Sequence, residues 1–246
     1  QSGGISKNLE LIKSSIGVGT FGIQEAREQL AQMASRIAGA SEVDNTQKQA
    51  YYDAATSEML LQHEASPLDA RAPLFLGVVH NSFGNYVAGA EALARAYELS
   101  PGKQSILFEI ALNAEARGDS SVVLQALKTA YDAEPANVQA RIFYASALIR
   151  ANDYTRSDEI LAPIIVSGEA ADPRIAAAYL AAKRYDKIAA VWEAHVIAQP
   201  DDPQGYFTLA AAYYAMGNTA KAIGTLETAS TISPAVAQQT ASFIQQ

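Results

Sequence analysis

Residues 203–234 read PQGYFTLAAAYYAMGNTAKAIGTLETASTISP. Tyr206, Leu209, Ala210 and Tyr213 recur at three- and four-residue intervals and stop at Gly217-Asn218, after which Ala222, Leu226 and Ala229 resume the spacing as far as Pro234. This is the pattern of two helices, each with one apolar face, joined by a turn in which Gly217 supplies a left-handed C-cap and Asn218 an N-cap. Pro234 ends the second helix because a proline bars the residue before it from the helical conformation. Such a hairpin hides only one face and needs a neighbour to cover the other.

The neighbours lie in the same chain. Prolines stand at Pro67, Pro101, Pro135, Pro200 and Pro234, with gaps of 34, 34, 65 and 34 residues. Leu76-Gly77, Gly84-Asn85-Tyr86, Leu93 and Ala96 precede Pro101, and Ile110-Ala111, Gly118-Asp119-Ser120, Leu127 and Ala130 precede Pro135. A third unit, Tyr144-Ala145, Asn152-Asp153-Tyr154 and Leu161, lacks its exit proline; a fourth, compressed, offers Ile175-Ala176, Tyr185, Trp192 and Pro200. The gap of 65 is two periods less three residues, so one unit is shortened. Small residues at the eighth and twenty-seventh places allow two antiparallel helices to approach closely, and larger ones at the fourth, seventh, eleventh and twenty-fourth fill the space between them.

Period and places together resemble the tetratricopeptide repeat. The resemblance implies an all-α, right-handed superhelical solenoid of antiparallel helix pairs. The expected organisation is residues 1–66 as N-terminal helices (divergent repeats or a cap), residues 67–234 as five helix pairs and residues 235–246 as a C-terminal capping helix, all in one continuous solenoid. Ile5 to Ile16 and Ile23 to Ala38 read as amphipathic helices, and a third is expected to open on a capping box from Thr46 to Gln49. Pro163 falls inside the second helix of the third unit and is expected to kink it or end it near Ser167-Gly168. The missing three residues are expected in the same region.

Composition narrows the function. There is no cysteine, so a zinc ribbon, a disulfide scaffold and a thiol nucleophile are excluded. Eighteen basic against 26 acidic side chains give a formal charge of −8, which argues against nucleic acid and anionic lipid as partners. No apolar stretch approaches the ~20 residues of a spanning helix, so no direct membrane insertion is expected. The chain carries no His-Glu-x-x-His, Gly-x-Ser-x-Gly, Walker or Gly-x-Gly-x-x-Gly motif. His63, His80 and His195 lie on inward stripes and read as core residues; Asp153, Asp158-Glu159 and Asp201-Asp202 stand at turns or helix starts, where acids favour the helix dipole. No catalytic residue, cofactor or metal is expected, and the chain reads as a non-enzyme.

In the repeat it resembles, the first helix of each pair presents a concave face. Here that face is read as Arg71, Leu74, Val78 and Asn81; Phe108, Leu112 and Glu115; Gln139, Ile142, Ile149 and Arg150; and Phe207 with Tyr214. It is mainly apolar. The Lys and Asn clamp with which chaperone-binding members grip a C-terminal carboxylate is replaced by Leu74, Phe108, Ile142 and Phe207. An apolar trough calls for an occupant. A protein or peptide partner, a second copy in a homodimer, and the chain's own Ile5 to Ile16 helix are the alternatives, besides a pitch tight enough for these side chains to pack among themselves.

Longer strings point further. Phe21 to Leu30 (FGIQEAREQL), Ser66 to Arg71 (SPLDAR), Leu99-Ser100-Pro101 and Gly168 to Arg174 (GEAADPR) resemble the tail that follows the membrane domain in bacterial O-antigen ligase-like proteins. That resemblance implies an extracytoplasmic or periplasmic interaction module serving surface-polysaccharide assembly, and it carries over no catalytic residue. A stand-alone scaffold of a secretion or pilus system is the alternative, with a cytoplasmic location open. The opening Gln1-Ser2-Gly3-Gly4, without Met, fits a piece of a larger protein.

Overall fold

A computed structural model describes residues 2–19 and 22–244. Among these are fourteen helices and no strand, in two compact units. Unit 1 (Gln1–Ala133) contains α1 (Ser2–Gly17), α2 (Ile23–Ala38), α3 (Asn45–Ala65), α4 (Arg71–Ser82), α5 (Tyr86–Leu99), α6 (Gln104–Ala116) and α7 (Ser120–Ala133). Unit 2 (Glu134–Gln246) contains α8 (Val138–Arg150), α9 (Tyr154–Ile165), α10 (Pro173–Ala181), α11 (Tyr185–Ala198), α12 (Pro203–Ala215), α13 (Thr219–Ser230) and α14 (Pro234–Ile244). The architecture is all-α, of the solenoid class. Within each unit the helices pair in sequence, and each pair lies against the next, α3 on α4 and α5 on α6 in the first unit, α11 on α12 in the second.

The turn between paired helices sets the repeat. Gly84, Gly118, Asn152, Lys183 and Gly217 have φ of 77°, 75°, 62°, 55° and 77°. After each of them the next amide (Asn85, Asp119, Asp153, Arg184 and Asn218) bonds back 2.9 Å to the carbonyl five residues earlier, closing the last turn of the first helix. Glycine meets this backbone freely and asparagine tolerates it, whereas a lysine there is strained by about 1–2 kcal/mol. These residues are spaced by 34, 34, 31 and 34 positions, so the three missing residues fall between Asn152 and Lys183. They come out of the first turn of α10, which has nine residues where α4, α6, α8 and α12 have twelve or thirteen. Asp172 starts α10 late, its carboxylate accepting the Arg174 amide at 2.7 Å with Pro173 at the first helical position.

Pro163 sits in the last turn of α9, which ends at Ile165; the chain then turns at Gly168 with φ of 78°. This is the early stop expected there. At α3 the expectation needs correcting: the cap is Asp44, whose Oδ1 accepts the Gln47 amide at 2.8 Å, and not Thr46. Asp44 is extended in backbone, as an N-cap must be, while Thr46 is already inside the helix and Gln49 spends its side chain on Asp53. The terminal helix starts as read, Ser233 Oγ accepting the Val236 amide and Val236 buried; Phe243 and Ile244, read as further cover, have side chains outside the described residues.

In unit 1, α2 and α3 form a pair that packs on α4 as the later pairs pack on theirs. Leu30, Ala31, Ala34, Tyr51, Ala55, Met59 and Val79 make its core. Helix α1 lies on α2 and α3: Leu9 and Ile16 are buried there, and the Tyr51 hydroxyl donates to the Ile5 carbonyl at 2.9 Å. It therefore covers the end of the pair formed by α2 and α3 and does not fill the trough along α4 and α6, which removes self-occupation as an account of that face. In unit 2 the core joins Ile142, Leu161, Ile175, Tyr179, Trp192, Leu209 and Tyr213.

Candidate functional site

The first helices carry the residues read as a binding face, and they fall into three groups. In unit 1, Arg71, Leu112 and Glu115 are exposed, Leu112 at 55%, while Leu74, Val78, Asn81 and Phe108 are half-buried. In unit 2, Gln139, Arg150 and Tyr214 are exposed, Tyr214 at 70%, and Phe207 is half-buried. The third group corrects the reading: Ile142 and Ile149 are 6% and 0% exposed and belong to the core of unit 2 with Leu161 and Ile175. They share one stripe of α8 with Ala145, at spacings of three and seven residues, and on this helix that stripe is packed. Residues 140–149 are buried apart from Phe143, so α8 offers a partner only its ends, Gln139 and Arg150.

Helices α4 and α6 are in contact, so in unit 1 the face is continuous from one first helix to the next. Its edge is polar. Arg71 bonds Asp69 at 2.9 Å and lies 3.4 Å from Glu28, and Gln24 donates to Asp69 at 3.1 Å. The Arg71 guanidinium holds the Asp69 carboxyl below the usual carboxylate range, against the opposing effect of burial, and Asp69 in turn raises Arg71. Arg71 is thus engaged within the chain, and the apolar side chains beside it are what the face has to offer. Asn81 is also engaged: its Oδ1 accepts from Asn113 Nδ2 at 2.6 Å, and the same nitrogen donates to the Tyr86 carbonyl at 2.8 Å. Gly89 makes room for this network, since a Cβ there would overlap Asn81 Oδ1.

Glu109 on α6 escaped the sequence reading. It is half-buried beside Phe108, and burial raises its carboxyl pKa above 4.5. The only sequence signal was an acid inside the apolar run from Ile106 to Leu112. A carboxyl whose folded pKa is raised binds its proton more readily in the native state. Its contribution to stability is therefore full below 4.5 and is lost as pH rises through the folded value. Glu109→Gln is expected to be more stable than the native chain at pH 7 and to lose that advantage on acidification below 4.5, as read from urea unfolding at the two pH values.

The histidines are held by structure. The Tyr52 hydroxyl accepts from Asn85 Nδ2 at 2.8 Å and meets His80 Nδ1 at 2.9 Å, and burial lowers the His80 pKa. His195 spans two elements: Nδ1 lies 3.1 Å from the Gly168 carbonyl and Nε2 2.8 Å from Asp202 Oδ2. Burial pushes the Asp202 carboxyl up, but its bonds to His195 and to the Gln204 amide outweigh this and hold it low. Gly168 and Gly205 close on the same imidazole; a Cβ on Gly205 would come within 2.6 Å of His195 Cδ2. His63 is half-buried, with its Nδ1 unpaired. Among the described residues no group of three or more His, Asp or Glu is placed to hold a metal ion, and no helix is long and apolar enough to cross a membrane.

A recess of about 460 Å³ opens in unit 1 on the other side of the pairs, between the second helices α5 and α7, with α6 as its floor. Nothing in the repeat pattern pointed to it.

Comparison with solved structures places this fold among tetratricopeptide repeat proteins. A tetratricopeptide repeat protein from Parabacteroides merdae superposes with a TM-score of 0.56 at 17% identity, covering 84% of this chain and 80% of that one. YrrB, described as a TPR protein with an unusual peptide-binding site, gives 0.48 at 13% identity over 72% of this chain and 92% of its own. MamA gives 0.44 at 14% identity over 85% and 95%. No family model and no curated protein matches the sequence.

Proposed function

We propose that the chain is a non-catalytic interaction scaffold that holds a polypeptide partner against the apolar first-helix faces, with Leu74, Val78, Phe108 and Leu112 as the contact in unit 1 and Phe207 and Tyr214 in unit 2. The observation that carries this reading is the exposure of Leu112 and Tyr214, large apolar side chains on first helices where a solvated face would be polar. A tyrosine such as Tyr214 is among the side chains that carry most binding energy once a partner excludes water from them, and Leu112 adds buried apolar area. The fold supports the reading, because a file of hairpins offers extended surfaces rather than a closed cleft.

The experiment is site-specific crosslinking in the native cell. A photoreactive residue in place of Leu112 or Tyr214 should capture one defined polypeptide, and the same residue in place of Asp53 on α3 should not. With that partner in hand, Leu112→Glu and Tyr214→Glu should each weaken binding about tenfold or more, roughly the loss of one well-buried side chain, with helicity unchanged. Capture of nothing at either position, or unaltered affinity in both variants, contradicts the proposal.

The setting we infer is the outer side of a bacterial membrane beside surface-glycan assembly, and its support is the four strings quoted above. A phosphatase reporter that is active only outside the cytoplasm, fused after Gln246 of the native gene product, tests it. Activity in the cell supports this location, and inactivity of an intact fusion rules it out.

A further inference from the structure

The recess in unit 1 is lined on α5 by small side chains. Helix α5 carries Ala90 and Ala94 at the places where α7 has Leu124 and Lys128 and α13 has Ile223 and Glu227. It is the one second helix of the five pairs with alanine at both of these places, α9 and α11 having it at one each (Ala162 and Ala189). Helices α5 and α7 each pack on α6. The gap left between them is within the ~300–1,000 Å³ of small-ligand sites. Its walls are mainly apolar and include Leu93, Ile110 and Ala126.

Tyr97, Glu98, Asn113, Arg117, Asp119, Gln125 and Thr129 also line it, and of these Asn113 alone is buried. Asn113 lines the recess and is only 3% exposed. Its Nδ2 donates to Asn81 Oδ1 and to the Tyr86 carbonyl. A carbonyl can only accept, so the orientation of the carboxamide is settled, and Oδ1 is left as an acceptor to which no described residue donates. That oxygen is open to the recess and is not one of the buried atoms left without a partner, so an entering N–H or O–H can take the place of water on it.

A second group stands four residues on, at the C-cap of α6, a backbone rise of about 6 Å. Arg117 is exposed and makes no ion pair among the described residues. The nearby Asp119 accepts from the Ser121 hydroxyl at 2.8 Å and the Val122 amide at 3.2 Å, bonds that hold its carboxyl low with a smaller contribution from the Arg117 charge. At the other end of the recess Glu98 is bound to Arg95 at 2.9 Å. Two groups four residues apart in sequence can thus meet a ligand together, Asn113 Oδ1 at the floor and the exposed Arg117 guanidinium, whose charge Asp119 only partly offsets.

We propose that this recess binds an apolar N-acylated amino acid carboxylate: the side chain lies between α5 and α7, the amide N–H donates to Asn113 Oδ1, and the carboxylate pairs with Arg117. This site lies on the side of unit 1 away from the first-helix faces and does not depend on the function proposed for them. The same chemistry is offered by a free N-acylamino acid and by the last residue of a peptide.

The probes are N-acetylleucine, N-acetylleucinamide and a tetrapeptide ending in leucine, each titrated into the full chain while backbone amide shifts are followed. Saturable shifts are expected at Ala94, Asn113 and Ala126. The acid should bind about two- to fivefold more tightly than the amide, the range of one exposed ion pair. Arg117→Gln should remove that preference. Ala94→Trp, a change at an exposed place on α5, should fill the recess and abolish the shifts with an unchanged circular dichroism spectrum. Tighter binding of the tetrapeptide than of N-acetylleucine makes a chain end the ligand, and equal binding makes it a free small molecule. No saturable shift, shifts that persist in Ala94→Trp, or equal affinity for acid and amide in the native chain overturns the proposal.

Discussion

Trp192→Ala is expected to cost unit 2 about 3–5 kcal/mol, the range for removing a large aromatic from a packed core. The indole is 4% exposed, on α11, in the cluster with Ile175, Tyr179, Leu209 and Tyr213. Counted from the left-handed turn residue, its place is held by Leu93, Leu127, Leu161 and Leu226 in the other pairs. The exception falls in the pair whose first helix has lost a turn. There α10 supplies less side-chain volume, and the indole supplies more than a leucine would, so the two departures compensate. Trp192→Leu, which restores the residue of the other repeats, should therefore still destabilise, by less than Trp192→Ala. Since Trp192 is the sole tryptophan, urea unfolding must be followed by circular dichroism and not by fluorescence. Equal stability of Trp192→Leu and the native chain would contradict the compensation.

That pairing of a short helix with a large side chain shows how far the sequence could be read. Gly84, Gly118 and Gly217 announced their turns because glycine is the cheap way to a positive φ, and Asn152 did so nearly as well. Lys183 does not: it takes the same conformation, but a lysine in a sequence gives no hint of it, so the sequence marks the fourth unit as compressed and the region after Pro163 as the place without showing that α10 is the helix shortened. The candidate face was legible as a set of places. Its exposure was not, because a place in a repeat says where a side chain points and not what covers it. Leu112 is open and Ile149 is closed for reasons that lie in neighbouring helices. The recess was harder still to foresee, as it is lined on α5 by Ala90 and Ala94, and alanine in a helix reads as unremarkable.

Gly77→Ala and Gly224→Ala are the same change in two helices, and they are expected to have opposite signs. Each replaces a glycine inside a helix and gains about 1 kcal/mol of helix propensity. At Gly224 on α13 nothing stands within 4 Å of the new methyl, so the gain survives and the variant is stabilised by that amount. At Gly77 on α4 the methyl would lie 2.6 Å from Leu93 Cγ and 2.8 Å from its Cδ2, with the Gly89 carbonyl at 3.3 Å. Leu93 is 1% exposed and cannot swing away, and the carbonyl belongs to the backbone of α5. The two helices must separate, which costs roughly 1–3 kcal/mol for overpacking and outweighs the gain in propensity. The expected net loss is up to about 2 kcal/mol. Separation would also pull α5 from Asn81 and Asn113, whose bonds hold the floor of the recess, so Gly77→Ala should shift the Asn113 side-chain amide resonances and Gly224→Ala should leave them alone. Thermal unfolding of the two variants in parallel decides the matter: a stabilised Gly77→Ala would mean that α4 and α5 do not meet as closely as this packing requires.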